Sequence, residues 1–200
     1  MSLFLTMCLF ALAMSVSPGP TNFITLSTGA NHGFRKTMPF VSGATAGFTV
    51  LLAAIGLGLG SIAVAIPYFM TLLAYGGSAF ICYTGYKLAM SRSEISIANN
   101  PPASFRDGII LQWLNPKAWT ACFAGVSAFN LTNDSNKLGL FLLLYFVICY
   151  VSIAAWGLAG ARARHYLLKP KTLTVFNRLM GSGLVLVSVY LLILQQELSL

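Results

Sequence analysis

The chain has 200 residues, 57% hydrophobic and 8% charged, with a net charge of +8 and a mean hydropathy of +0.79. A water-soluble domain carries about 25% charged residues, so this composition excludes an ordinary soluble domain and points to lipid as the solvent. The excess of basic residues does not indicate nucleic-acid binding, because they form no single stripe and no aromatic-basic platform accompanies them.

Six apolar stretches are predicted along the chain, at about residues 3–29, 39–61, 67–90, 105–130, 138–160 and 173–195. Each is long enough to cross a hydrocarbon core of about 30 Å as a helix. Lipid offers the backbone no hydrogen-bond partners, so a spanning segment is either a helix or a strand of a closed barrel. Continuous apolar runs rather than alternation exclude the barrel. The expected fold is an all-α polytopic membrane protein of six transmembrane helices.

The first stretch is apolar from its start, and no Lys or Arg precedes Arg35. A cleaved signal peptide would begin with positive charge, so this stretch reads as a retained span. It is interrupted at Ser17-Pro18-Gly19-Pro20. Thr37 and Pro39 mark the start of the second span, and Pro67 opens the third, because proline is tolerated in a first helical turn. Gly43 and Gly47 form a GxxxG, followed by Gly56, Gly58 and Gly60. Such a stripe serves either close packing within one chain or the face of a homodimer. The polar linker 91–104 divides the chain into repeats 1–90 and 105–200, with three spans on each side. The fourth span is interrupted at Asn115-Pro116-Lys117. Cys8, Cys82, Cys122 and Cys149 each fall within a predicted span and form no CxxC. They read as buried small hydrophobes rather than a disulfide framework or metal ligands.

The basic residues alternate by side. Arg35 and Lys36 follow the first span; Lys87, Arg92 and Arg106 bracket the linker; Arg162, Arg164, Lys169, Lys171 and Arg178 bracket the loop after the fifth span. Only Lys137 lies on the other side. The positive-inside rule then puts those three connections in the cytoplasm and both termini on the periplasmic side of a bacterial inner membrane. An odd number of spans per half makes two similar halves point in opposite directions, as in an inverted repeat.

The two interruptions read alike. A small polar residue that can cap a helix, Ser17 or Asn115, precedes proline. That is the start signal of a new helix, with the cap at Ncap and proline at N1, here at mid-membrane depth. Two half-helix N-termini facing the membrane centre from opposite sides would offer free N–H groups and partial positive charge to an anion. Interrupted spans at equivalent positions of two halves point to a transporter site; a pair of packing kinks is the structural alternative. Lys117 is the only basic residue deep inside a span. A charge there costs about 2.5–3.5 kcal/mol on insertion scales. It serves either as the counter-charge of a substrate carboxylate or as a cation that satisfies freed carbonyls or snorkels. The candidate substrate-binding residues are therefore Ser17, Pro18, Gly19, Pro20, Asn22, Asn115, Pro116 and Lys117, with Thr21, Asn22 and Thr120 among those that could sort side chains.

Ser17-Pro18-Gly19-Pro20-Thr21-Asn22, His32-Gly33-Phe34-Arg35, Gly43, Gly47, Tyr83-Thr84-Gly85-Tyr86-Lys87-Leu88 and Trp113-Leu114-Asn115-Pro116-Lys117-Ala118 together resemble the LysE/RhtB family of amino-acid exporters. The resemblance covers essentially the whole chain. The stretch from Pro18 to Arg35 looks most like the cysteine/O-acetylserine branch, with threonine and homoserine exporters as alternatives. The resemblance implies proton-driven efflux of amino acids or their derivatives, with no cofactor and no metal.

Proton coupling finds no obvious carrier. Glu94, Asp107, Asp134 and Glu197 are the only acidic residues, and none sits in mid-span. Asp107 reads either as a relay at the mouth of the fourth span or as a charge placed at a helix N-terminus. His32 and His165 fall in predicted loops. Trp113, Trp119 and Trp156 suit either a pore or a membrane interface. A membrane-embedded enzyme is the second functional reading, but the chain has no HExxH and no acidic pair within a span. A non-transporting scaffold or a channel is the third.

Overall fold

The computed structural model describes residues 2–66, 68–90, 101–167 and 170–199, and every regular element among them is helical. The helices are α1 (Leu3–Val16), α2 (Pro20–His32), α3 (Phe34–Ala54), α4 (Gly60–Ala65), α5 (Phe69–Ala89), α6 (Phe105–Trp113), α7 (Pro116–Ala128), α8 (Ser135–Ala163) and α9 (Pro170–Ser199). A π-helical stretch, Ile55–Leu59, joins α3 to α4.

Among the described residues three segments are long and apolar enough to cross a membrane: Phe34–Leu59, Ser135–Leu167 and Lys171–Ile193. The pair α1–α2, bent by 60°, is a fourth if it counts as one span. α5 has 21 residues, enough for about 30 Å, but its Gly, Ser, Thr and Tyr residues make it less apolar than those four. α6 and α7 have 9 and 13 residues and are each too short alone.

Large apolar side chains face outward along these helices, among them Leu5, Leu9, Leu12 and Val16 on α1 and Leu143, Val147 and Val151 on α8. An apolar exterior of this extent fits a surface wetted by lipid. Inside, Phe48 stacks on Tyr145 at 4.4 Å, and Phe141 meets Tyr145 edge-on at 5.5 Å.

The helix pairs follow a regular scheme. α5 packs along α9, α1 and α2 along α8, α6 along α3, and α3 along α8. Small residues allow the close approaches. Gly43 sits against the Phe105 carbonyl, Gly29 against the Gly157 carbonyl and Gly160 against the Leu26 carbonyl, so a Cβ on any of the three would collide with backbone. A Cβ on Gly47 would stand 2.9 Å from Ile109 Cα. The Gly43/Gly47 stripe is thus occupied by α6 of the same chain. Where α5 crosses α9, the contacts are reciprocal. Ser188 Oγ donates to the Ser78 carbonyl at 2.7 Å, and Ser78 Oγ donates to the Ser188 carbonyl at 3.3 Å. Gly85 and Gly181 likewise face each other's carbonyls.

Three expectations about helix ends are corrected. α3 begins at Phe34, so Pro39 lies inside the helix rather than in its first turn. Gly33, at φ 86°, forms the break between α2 and α3, and the one backbone bond that Pro39 forgoes lies on an exposed part of the helix. The second span is not an intact helix: Gly58 adopts φ 119°, ψ −10° within the π-helical stretch, a conformation open chiefly to glycine. His32 is the last residue of α2 and half-buried, not a solvated loop residue. The expected start at Pro67 and residues 91–100 of the linker lie outside the described residues. Ser104 and Asp107 form a capping box at the start of α6, with the Ser104 N–H donating to Asp107 Oδ2 at 2.8 Å. Cys122 and Cys149 are buried, and all four cysteines are free.

Candidate functional site

The interruption of the first span follows from two consecutive X-Pro steps. Proline disfavours the α region for the residue before it, and Ser17 and Gly19 are both extended, at ψ 133° and ψ 177°. A helix can restart only at Pro20. The expected cap at Ser17 with Pro18 at N1 is therefore corrected: Ser17 closes α1, Gly19 is the N-cap of α2, and Pro20 takes N1. The second interruption has the expected geometry. Asn115 is the N-cap of α7, its Oδ1 accepts the Lys117 N–H at 3.1 Å, and Pro116 takes N1.

Ending a helix in mid-span frees carbonyls that need donors. Side chains supply them here. Asn22 Nδ2 donates to the carbonyls of Ser15, Val16 and Ser17 at 3.1, 3.4 and 3.0 Å. Lys117 reaches across from the other interruption. Its Nζ donates to the Ser17 carbonyl at 2.9 Å, to Ser17 Oγ at 2.8 Å and to the Pro18 carbonyl at 3.1 Å. An ammonium has three donors, and these three acceptors match them. At the second interruption Trp119 Nε1 donates to the Trp113 carbonyl at 2.9 Å. Trp119 is therefore a buried hydrogen-bonding residue of the break, not an interface aromatic.

The two interruptions meet. Gly19, Pro20, Thr21 and Asn22 from one, with Gln112, Asn115 and Lys117 from the other, line a shared cavity of about 40 Å³. α8 closes it with Tyr145 and Cys149, and α3 with Phe48. The volume suits a few water molecules rather than an amino acid. Ser17 and Pro18 stand at the Lys117 ammonium, and Pro116 is turned to α5, where a Cβ on Gly77 would lie 3.2 Å from its Cδ. Gly19 lies close under the lysine: a Cβ there would stand 3.0 Å from Lys117 Nζ, so the lysine end would have to shift. Thr120 is exposed and bonds back to the Pro116 carbonyl at 3.0 Å, outside the cavity. Among the described residues no cluster of metal-ligating side chains occurs.

Gln112 is the residue that sequence reasoning missed. It is buried in the last turn of α6, and its Oε1 accepts from Thr21 Oγ1 at 3.4 Å, which links the two interruptions directly. An amide within the apolar run 108–114, one turn before a break, was the available signal.

The chain matches the family described as LysE type translocator over residues 12–195. It is 30% identical over 155 residues to proteins named cysteine/O-acetylserine efflux protein from Escherichia coli O1:K1, Escherichia coli K12 and Shigella flexneri serotype 5b, a stretch covering 76% of this chain and 78% of each relative. No solved structure matches it. With a match across nearly its whole length, the chain belongs to the LysE type translocator family.

Proposed function

We propose that the chain exports amino acids or their derivatives from the bacterial cytoplasm, with the substrate carboxylate held where the two broken helices meet. As a member of a translocator family it is a transporter, not an enzyme. The relatives named for cysteine and O-acetylserine efflux support a small, polar amino-acid substrate. The observation that carries the site is the contact of Lys117 with the opposite interruption. A lone ammonium between two half-helix N-termini is suited to an α-carboxylate, which would take over bonds that Lys117 now gives to Ser17 and Pro18.

On this reading the chain has six spans in two inverted repeats, 1–90 and 105–200, with both termini periplasmic and a proton-coupled cycle. The packing scheme supports the two repeats. The broken span of each half lies against the second span of the other, and the third spans cross through reciprocal Ser78–Ser188 and Gly85–Gly181 contacts. A two-fold relation between halves would produce that exchange.

A second reading, in which Lys117 only closes the backbone of the break, is favoured by its three protein acceptors. Vesicles loaded with a panel of amino acids and assayed with and without a proton gradient test the function. Asn115→Ala and Lys117→Ala should insert normally and lose export. Lys117→Gln separates the readings, because glutamine can still donate to carbonyls but holds no carboxylate by charge. Export stays lost if Lys117 binds substrate and returns if its role is structural.

A further inference from the structure

A second cavity, of about 430 Å³, lies along the remainder of α2. Ile24, Ser27, Thr28 and Asn31 line it at helical spacing, so one face of α2 is its wall. Thr21 continues that stripe one turn nearer the break, and it lines the smaller cavity instead. The same handover occurs on two other helices. Phe40 lines the larger cavity and Phe48 the smaller on α3, and Leu111 and Gln112 divide likewise on α6. The two cavities therefore stand end to end, with the 3.4 Å contact of Thr21 and Gln112 between them.

The far end of the larger cavity carries charge of both signs. Lys87 on α5 and Asp107 on α6 line it, and both are exposed. No ion pair among the described residues engages either of them. Asp107 also spends Oδ2 on the cap of α6, which fixes its position. The wall formed by α2 is fixed as well. Asn31 Nδ2 donates to Asn177 Oδ1 at 2.9 Å, and Asn177 returns the bond at 3.3 Å, tying α2 to α9.

We infer that the larger cavity is a loading site, where a zwitterionic α-amino acid is collected before it passes the Thr21–Gln112 contact to the broken helices. The carboxylate pairs with Lys87, the ammonium with Asp107, and the side chain lies against Phe40, Phe80 and Leu111. The volume falls in the range of about 300–1,000 Å³ usual for small-molecule sites. Opposite charges unpaired with each other, on two different helices at one mouth, match a ligand that carries both. This inference rests on the export reading for its direction, but not for its binding chemistry.

The test uses Thr84→Cys, which places a thiol on the cavity wall, in a chain carrying Cys8→Ala and Cys82→Ser. Excess O-acetyl-L-serine should slow maleimide labelling of the purified protein in detergent, and its carboxyl methyl ester should not. Lys87→Gln and Asp107→Asn, the latter keeping an acceptor for the helix cap, should each weaken protection about tenfold, the loss of one charge-assisted bond. Ala103→Trp, which places an indole in the cavity, should abolish both protection and export. Undiminished protection in both charge variants, or none by the zwitterion in the parent, overturns the loading site. If vesicles export no amino acid while protection holds, the export reading falls and the binding site stands. If export is normal in Ala103→Trp and nothing protects the thiol, the loading site falls alone.

Discussion

Asn22 and Lys117 divide the work of closing one broken backbone. Asn22 is buried and reaches three carbonyls from within the first turn of α2, so it acts as a cap for the helix that precedes its own. Asn22→Ala removes the donor shared by the Ser15, Val16 and Ser17 carbonyls and leaves Lys117 to serve Ser17 alone. Unfolding in detergent should show a loss of about 1–3 kcal/mol, the cost of stranded buried acceptors. Gly19→Ala tests the other partner. The new methyl would stand 3.0 Å from Lys117 Nζ and 3.2 Å from its Cδ, but a flexible lysine end can retreat. The expected result is a smaller loss, at most about 1.5 kcal/mol, together with reduced export in the vesicle assay. Pro18 and Pro20 announce the break in the sequence; the partners of the freed carbonyls do not show there. Lys117 lies about a hundred positions away, and only the packing of the two halves brings it to Ser17. Gln112 escaped notice for the same reason, since its partner Thr21 belongs to the other half.

At the scale of helices, the glycines sort into those that carry a crossing and those that do not. Gly43, Gly29 and Gly160 face backbone carbonyls of a neighbouring helix, whereas Gly139 in α8 has open space around its Cβ position. Gly43→Ala and Gly160→Ala should lower the melting temperature sharply or prevent folded protein from accumulating. Gly139→Ala should be neutral or stabilising by up to about 1 kcal/mol, because alanine is the better helix former. Equal behaviour of the two classes would contradict the crossings. The GxxxG at Gly43 and Gly47 was legible as a close contact, but not which surface it meets, because a spacing of four specifies a face and not its occupant. Gly58 was harder still. A glycine amid Gly56 and Gly60 looks like one more packing residue, and only its positive φ distinguishes it. Pro39 misled for a complementary reason: proline ends or opens a helix in most contexts, yet near an exposed first turn the lost bond is tolerated.

For the molecule as a whole, hydropathy indicated the membrane and the all-helical architecture correctly, because lipid permits so few alternatives. It was less able to count spans. α6 and α7 are short pieces divided by Asn115 and Pro116, and α5 is diluted by small and hydroxylic residues, so neither matches the uniform apolar run that defines a span. Charge placement predicts a direction that hydropathy does not. Reporter fusions at Met1, Leu200 and the linker should place both termini on the periplasmic side and the linker in the cytoplasm. A cytoplasmic C-terminus would break the inverted-repeat reading and with it the symmetry of the two interruptions.

The ammonium that joins Asn115-Pro116-Lys117 to Ser17-Pro18 also bears on leakage. Every donor of Lys117 is spent on the opposite interruption, which ties the two broken helices together. On the proposed reading, a carboxylate must compensate Lys117 before the two interruptions can part. An unloaded protein would then cycle slowly, and the ion gradient would not be dissipated in futile turns.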